Sequence, residues 1–157
     1  MTESLSTFFQ FSWLIKLLTA GRTSSAPVEF SFEKVESALL GTIYRPMIQV
    51  KFWSVSDQRW ESVRMLIDTG ADYTLIPRYT ATLLGLDLEA GVTHTAEGVG
   101  GKHQTILLQN VRVKVGEFER KIPVGVVSGI PPLMGRHLFF ETFSVLFDKR
   151  RAISFQK

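Results

Sequence analysis

From Thr42 onward, apolar residues recur in short runs separated by turn residues, the pattern of a strand-rich chain. Met47, Ile48, Val50, Phe52 and Val55 predict a first strand, with Ser56, Asp57, Gln58 and Arg59 as its hairpin turn. Residues 60–67 return as a second strand. Residues 92–108 predict a hairpin whose tip is Gly98, Val99, Gly100 and Gly101. Val111, Val113 and Val115 alternate with Arg112 and Lys114, as on a half-buried strand, and Gly116-Glu117 turns it back. Residues 122–127 are apolar on both faces. Residues 143–147 and 152–155 predict a last hairpin around a tight turn at Lys149, Arg150 and Arg151. Helical spacing is confined to residues 78–86, with Tyr79, Leu83, Leu84 and Leu86 as the apolar set and Gly85 near the stop, and to a short stretch at 136–141. Many short strands with few helices imply an all-β, closed or sandwich-like architecture. No internal repeat is visible.

Residues 1–27 read differently from residues 28–157, which form one domain. The run from Phe8 to Leu18 is strongly apolar, but Lys16 interrupts it and it is far short of the ~20 residues of a spanning helix. No Lys or Arg precedes it, so it is a poorly formed signal peptide. Ser12, Lys16 and Thr19 would line the narrow polar stripe of an amphipathic helix able to pack on the domain, on a partner or on a membrane surface. A disordered or non-native extension is the plainer alternative. Residues 22–27 are a small, polar linker.

Composition narrows the classes. A chain of 157 residues with 45% hydrophobic and 21% charged residues can bury a core and is not wholesale disordered. The net charge of +3 is spread thinly, without the clustered basic face that nucleic-acid binding requires. The absence of cysteine excludes disulfides and Cys-ligated metals and fits a reducing compartment. A cytoplasmic location is favoured, with an N-terminal signal or anchor left open. His94, His103 and His137 do not fall at metal-ligand spacings; each reads as a polar surface or capping residue. No metal and no cofactor are expected.

The candidate chemistry lies in residues 65–77. Met65, Leu66 and Ile67 form a short buried strand, and Leu75 and Ile76 resume the core after an interruption. Asp68 at the end of a buried strand is costly unless hydrogen bonds or function compensate it. Thr69 supplies a hydroxyl, Gly70 lets the chain turn and be approached closely, and Ala71 leaves room.

Asp68-Thr69-Gly70-Ala71 resembles the active-site signature of the retropepsin-like aspartic proteases, of cellular or bacterial rather than viral type. Leu133-Met134-Gly135-Arg136 resembles the family's second landmark, and Gly98, Val99, Gly100 and Gly101 stand where the family carries its Gly-rich flap. His137 departs from the Asp or Asn usual after Gly-Arg. The resemblance covers roughly Thr42 to the C-terminus. It implies a single closed β-barrel domain acting as half of a homodimeric acid protease, because the chain has one Asp-Thr-Gly loop where pepsin-type enzymes have two.

The resemblance also implies roles. Asp68 is the catalytic carboxylate, paired with its symmetry mate and sharing one proton with it. Thr69, Gly70, Ala71, Asp72, Gly135 and Arg136 support the loop, with a partly buried Asp72–Arg136 salt bridge behind it. The flap closes over an extended peptide, whose apolar side chains would meet residues such as Leu133, Val99 and Ile76. The competing reading is a catalytically silent relative that binds peptides or serves as a scaffold.

Overall fold

The computed structural model describes residues 27–98 and 101–156. The expected N-terminal amphipathic helix and the flap-tip residues Val99 and Gly100 lie outside the described residues. The strands are β1 (Val28–Ser31), β2 (Glu33–Ser37), β3 (Gly41–Arg45), β4 (Met47–Ser54), β5 (Arg59–Ile67), β6 (Thr74–Pro77), β7 (Val92–Gly98), β8 (Gly101–Val115), β9 (Phe118–Val127), β10 (Leu133–Met134), β11 (Ser144–Asp148) and β12 (Ala152–Gln156). Helix α1 spans Arg78–Leu83.

The main sheet runs β4-β5-β10-β6-β9-β8-β7, and β4 also pairs with β8 through Lys51 opposite Lys114 and Phe52 opposite Val113. The sheet therefore closes on itself, with β7 extending from β8 outside the ring. A bulge between Leu108 and Val111, with Asn110 at φ +59°, divides β8. Its first half pairs with β7, and its second half reaches β4. Alternation does the rest: Ile48, Val50 and Phe52 on β4 and Val111, Val113 and Val115 on β8 point into the ring and are buried. β9 is buried continuously from Ile122 to Val127, as its unbroken apolar run predicts. Full burial of each such Val, Ile or Phe contributes about 1.5–3 kcal/mol.

A second sheet, β1-β12-β11, carries Ile153 and Phe155 into the same core beside Phe139 and Phe143. β12 is its middle strand, hydrogen-bonded on both edges within one chain. The sequence reading starts the strands near Thr42, whereas the structure places three before Met47. β1 was hidden because its partner, β12, lies at the opposite end of the chain.

Helix α1 corrects the expected apolar face. Tyr79 and Leu83 are 64% and 70% exposed, while Thr80, Ala81 and Leu84 are buried. The helix ends early because Gly85, at φ +63°, and Leu86 return their N–H groups to the carbonyls of Thr82 and Ala81. The second short helical segment, Arg136–Phe140, is kinked: His137 is extended and Leu138 has φ +58°.

Candidate active site

Asp68 follows β5 directly, and two features hold it. Its N–H donates to the carbonyl of Met134 at 3.0 Å, and its Oδ1 accepts the N–H of Gly70 at 2.9 Å. The Ala71 N–H donates to the Asp68 carbonyl at 3.2 Å, closing the turn. A Cβ on Gly70 would sit 3.2 Å from Asp68 Oδ1, tight enough to disturb that carboxylate. Asp68 is half-buried, whereas Thr69 and Gly70 are exposed, so the loop presents an open face to solvent.

The loop stays in place because β10, only two residues long, is inserted between β5 and β6. Leu133 and Met134 run parallel to Leu66 and Ile67 on one side, and Leu133 is antiparallel to Leu75 on the other. The chain from Asp68 to Tyr73 must therefore pass over the end of β10. Gly135 is the crossing point: a Cβ there would lie 2.3 Å from the Tyr73 carbonyl carbon and oxygen. Beneath it, buried Thr74 accepts the Gly135 N–H at 3.4 Å and directs its hydroxyl to Met134 Sδ at 3.1 Å.

Asp72 and Arg136 pair through Oδ1 and Nη2 at 2.5 Å, but their side chains are 78% and 52% exposed. The partly buried brace expected from sequence is thus a surface pair in the single chain. The bracing runs through the main chain instead, since the N–H groups of Arg136 and His137 donate to the carbonyls of Ala71 and Asp72 at 3.0 and 2.8 Å. His137, the departure from the family pattern, contributes here by its backbone. Exposed ion pairs are worth about 0–1 kcal/mol, so Asp72→Asn should cost less than about 1 kcal/mol in chemical denaturation of the monomer. A loss above about 2 kcal/mol would refute the surface assignment.

The expected flap is the β7–β8 hairpin, in which Gly98 pairs with Gly101 and both are exposed. A link that the sequence reading missed joins this hairpin to the segment that follows the Asp68 loop. Tyr73 Oη and His94 Nε2 are 2.9 Å apart, so His94 is neither a bare surface residue nor a cap. Gly125 on β9 makes room for the Tyr73 ring, because a Cβ there would approach Tyr73 Cε2 to 2.6 Å. Only the adjacency of Tyr73 to Asp72 hinted at this role.

Burial raises the Tyr73 phenol above its ordinary value of 10.0, with the Asp72 charge adding to the rise and the Thr105 side chain opposing it. The unfolded chain then loses this proton first, so the stability tied to the neutral phenol is complete below about pH 10 and lost as pH rises through the folded-state value. Denaturant titrations should show wild type losing stability above pH 10 more steeply than Tyr73→Phe. Equal slopes would contradict it.

Ile76, expected beside the substrate, is fully buried in the core and cannot touch one in this structure. Leu133 is half-buried next to the loop. A groove of about 630 Å³ lies between β5 and α1 and is lined by Val63, Arg64, Tyr79 and Leu83, not by Asp68.

A closed barrel of short strands, with an Asp-Thr-Gly loop carried over a short inserted strand, defines a retropepsin-like domain. The sequence model of the family described as Aspartyl protease matches residues 49–138, from β4 through the Asp68 loop and the β7–β8 hairpin to Gly135-Arg136. The chain belongs to that family, and its domain is of the protease type. No curated protein matches the chain.

Proposed function

We propose that the protein is an aspartic endopeptidase that works as a homodimer, with Asp68 facing the partner's Asp68 across a two-fold axis. The observation that carries this reading is the state of the Asp68 loop. Its main chain is pinned by Met134, one carboxylate oxygen is oriented by the Gly70 N–H, and its outer face, Thr69 and Gly70, is open. One carboxylate held this way is half of an acid–base pair. Two of them at hydrogen-bond distance cannot both ionise cheaply and share a proton. The charged one takes a proton from a water that attacks the scissile carbonyl, and the protonated one polarises that carbonyl. Water is the nucleophile, so the chemistry calls for no cofactor and no covalent enzyme intermediate.

Thr69 and Gly70 would meet the partner loop and the substrate backbone, while the main chain of Ala71, Asp72, Gly135 and Arg136 supports the loop. Gly98, Val99, Gly100 and Gly101 would close over an extended peptide and exclude water. The test is cleavage of a peptide library at mildly acidic pH by the purified full chain and by Asp68→Asn. Cleavage by wild type alone is the expected result. Equal turnover by both ends the protease reading, and absence of turnover in both leaves a silent peptide-binding or scaffold domain.

A further inference from the structure

β2 and β3 form a separate two-stranded sheet, paired from Glu33 opposite Arg45 to Ser37 opposite Gly41. The arm is ordered at both ends. At its root, Glu33 pairs with Arg64, the Arg151 guanidinium covers the Tyr44 ring at 3.4 Å, and Phe32 meets Phe147 edge-on. At its tip, Ser37 Oγ accepts the N–H groups of Leu39 and Leu40 at 3.4 and 3.2 Å, and Gly41 turns the chain at φ +67°. Between root and tip, the cross-strand pair Val35 and Ile43 is not among the side chains packed on the core. The tip shows Leu39 at 89% and Leu40 at 69% exposure. A two-stranded hairpin is only marginally stable alone, and an apolar tip in water is unfavourable. The arm has the makings of a contact surface left uncovered among the described residues.

The root of the arm lies beside the Asp68 loop. β3 passes through Pro46 into β4, and the Pro46 carbonyl accepts the N–H of Ile67 at 3.0 Å, one residue before Asp68. The arm thus springs from the end of the sheet where the catalytic loop opens. At about 3.4 Å per residue, five paired residues and the turn reach roughly 20 Å. β12 cannot serve as a free edge for a partner while both its edges are filled within the chain.

We propose that the β2–β3 hairpin is a dimerisation arm whose Leu39-Leu40 tip packs on a second copy of this chain. This rests on the homodimeric reading given above, which requires a second copy at the Asp68 end. The arm adds contact area beside the two loops and helps hold them together against dissociation.

The experiment compares wild type with Leu39→Asp/Leu40→Asp by sedimentation velocity over a dilution series. Dimerisation should weaken at least about tenfold. Far-UV circular dichroism and melting of the monomer should stay unchanged, since both leucines lie in solvent there. Leu39→Met/Leu40→Met should keep the dimer. The chain has no cysteine, so Leu40→Cys carrying a benzophenone label should photocross-link to a dimer-sized product even if the Asp variant misfolds. A dimerisation constant within about twofold of wild type overturns the proposal, as does a wild-type chain that stays monomeric or a label that never cross-links. Binding of wild type, but not of the Asp variant, to phosphatidylcholine–phosphatidylglycerol vesicles with dimerisation unchanged also overturns it and assigns the tip to a membrane. The readout is assembly, so a dimer held by the arm without peptide cleavage supports the arm and removes the protease reading. Cleavage with dimerisation insensitive to the arm does the reverse.

Discussion

Equal mixing of wild type with Asp68→Asn, followed by re-equilibration at constant total protein, is expected to leave about a quarter of the all-wild-type activity. Random pairing makes one dimer in about four wild type on both sides, and only that dimer carries two carboxylates sharing a proton. Independent sites would leave about half. The pure Asp68→Asn dimer should cleave roughly 10²–10⁴-fold more slowly, the range that a positioned acid–base group supplies. Its fold should survive, because the amide retains an oxygen to accept the Gly70 N–H and the main-chain bond to Met134 does not depend on the side chain. Activity linear in the wild-type fraction would rule out the two-copy site, whatever the pure variant does.

Gly135→Ala should destabilise the fold by about 3 kcal/mol or more, lowering the melting temperature by roughly 10 °C. The added methyl would meet main chain at 2.3 Å on the Tyr73 carbonyl and at 2.8 Å on the Thr74 nitrogen. Backbone cannot swing aside as a flexible side chain can. Relief requires lifting the Tyr73–Thr74 segment from β10, which strains the Gly135–Thr74 bond and the Asp68–Met134 bond together. Peptide cleavage should fall more than the folded fraction does, since the loop loses its support. Gly98→Ala is the control: a Cβ there meets nothing within 4 Å, and its melting should shift by no more than about 0.5 kcal/mol. Indistinguishable melting curves for the two variants would show that the crossing is looser than the geometry implies.

Much of the barrel was legible because its strands are regular. β4, β5, β8 and β9 carry period-two or fully apolar patterns that decide which face is buried, and β10 and Asp68 lie within recognisable motifs. What stayed hidden depends on partners distant in sequence. The single half-buried face of β1 acquires meaning only from β12. On α1, helical periodicity found the helix but not its buried side, because the small residues Thr80 and Ala81 fit against the barrel where Tyr79 and Leu83 would not. Ile76 illustrates the same limit: next to the site in sequence, it points into the core because strand residues alternate.

Asp68, Thr69 and Gly70 are a local matter. A carboxylate ending a buried strand, followed by a turn with a glycine, announces itself in any one-dimensional reading. The sequence by itself determined that there is one such loop, that the chain is strand-rich, and that Gly135-Arg136 accompanies the loop. Tertiary structure alone decided that β10 slots between β5 and β6, that main-chain bonds rather than the Asp72–Arg136 ion pair brace the loop, and that Tyr73 reaches His94 on the hairpin. Side-chain type is written in the chain, whereas hydrogen-bond partners and solvent exposure depend on which distant backbone arrives beside it.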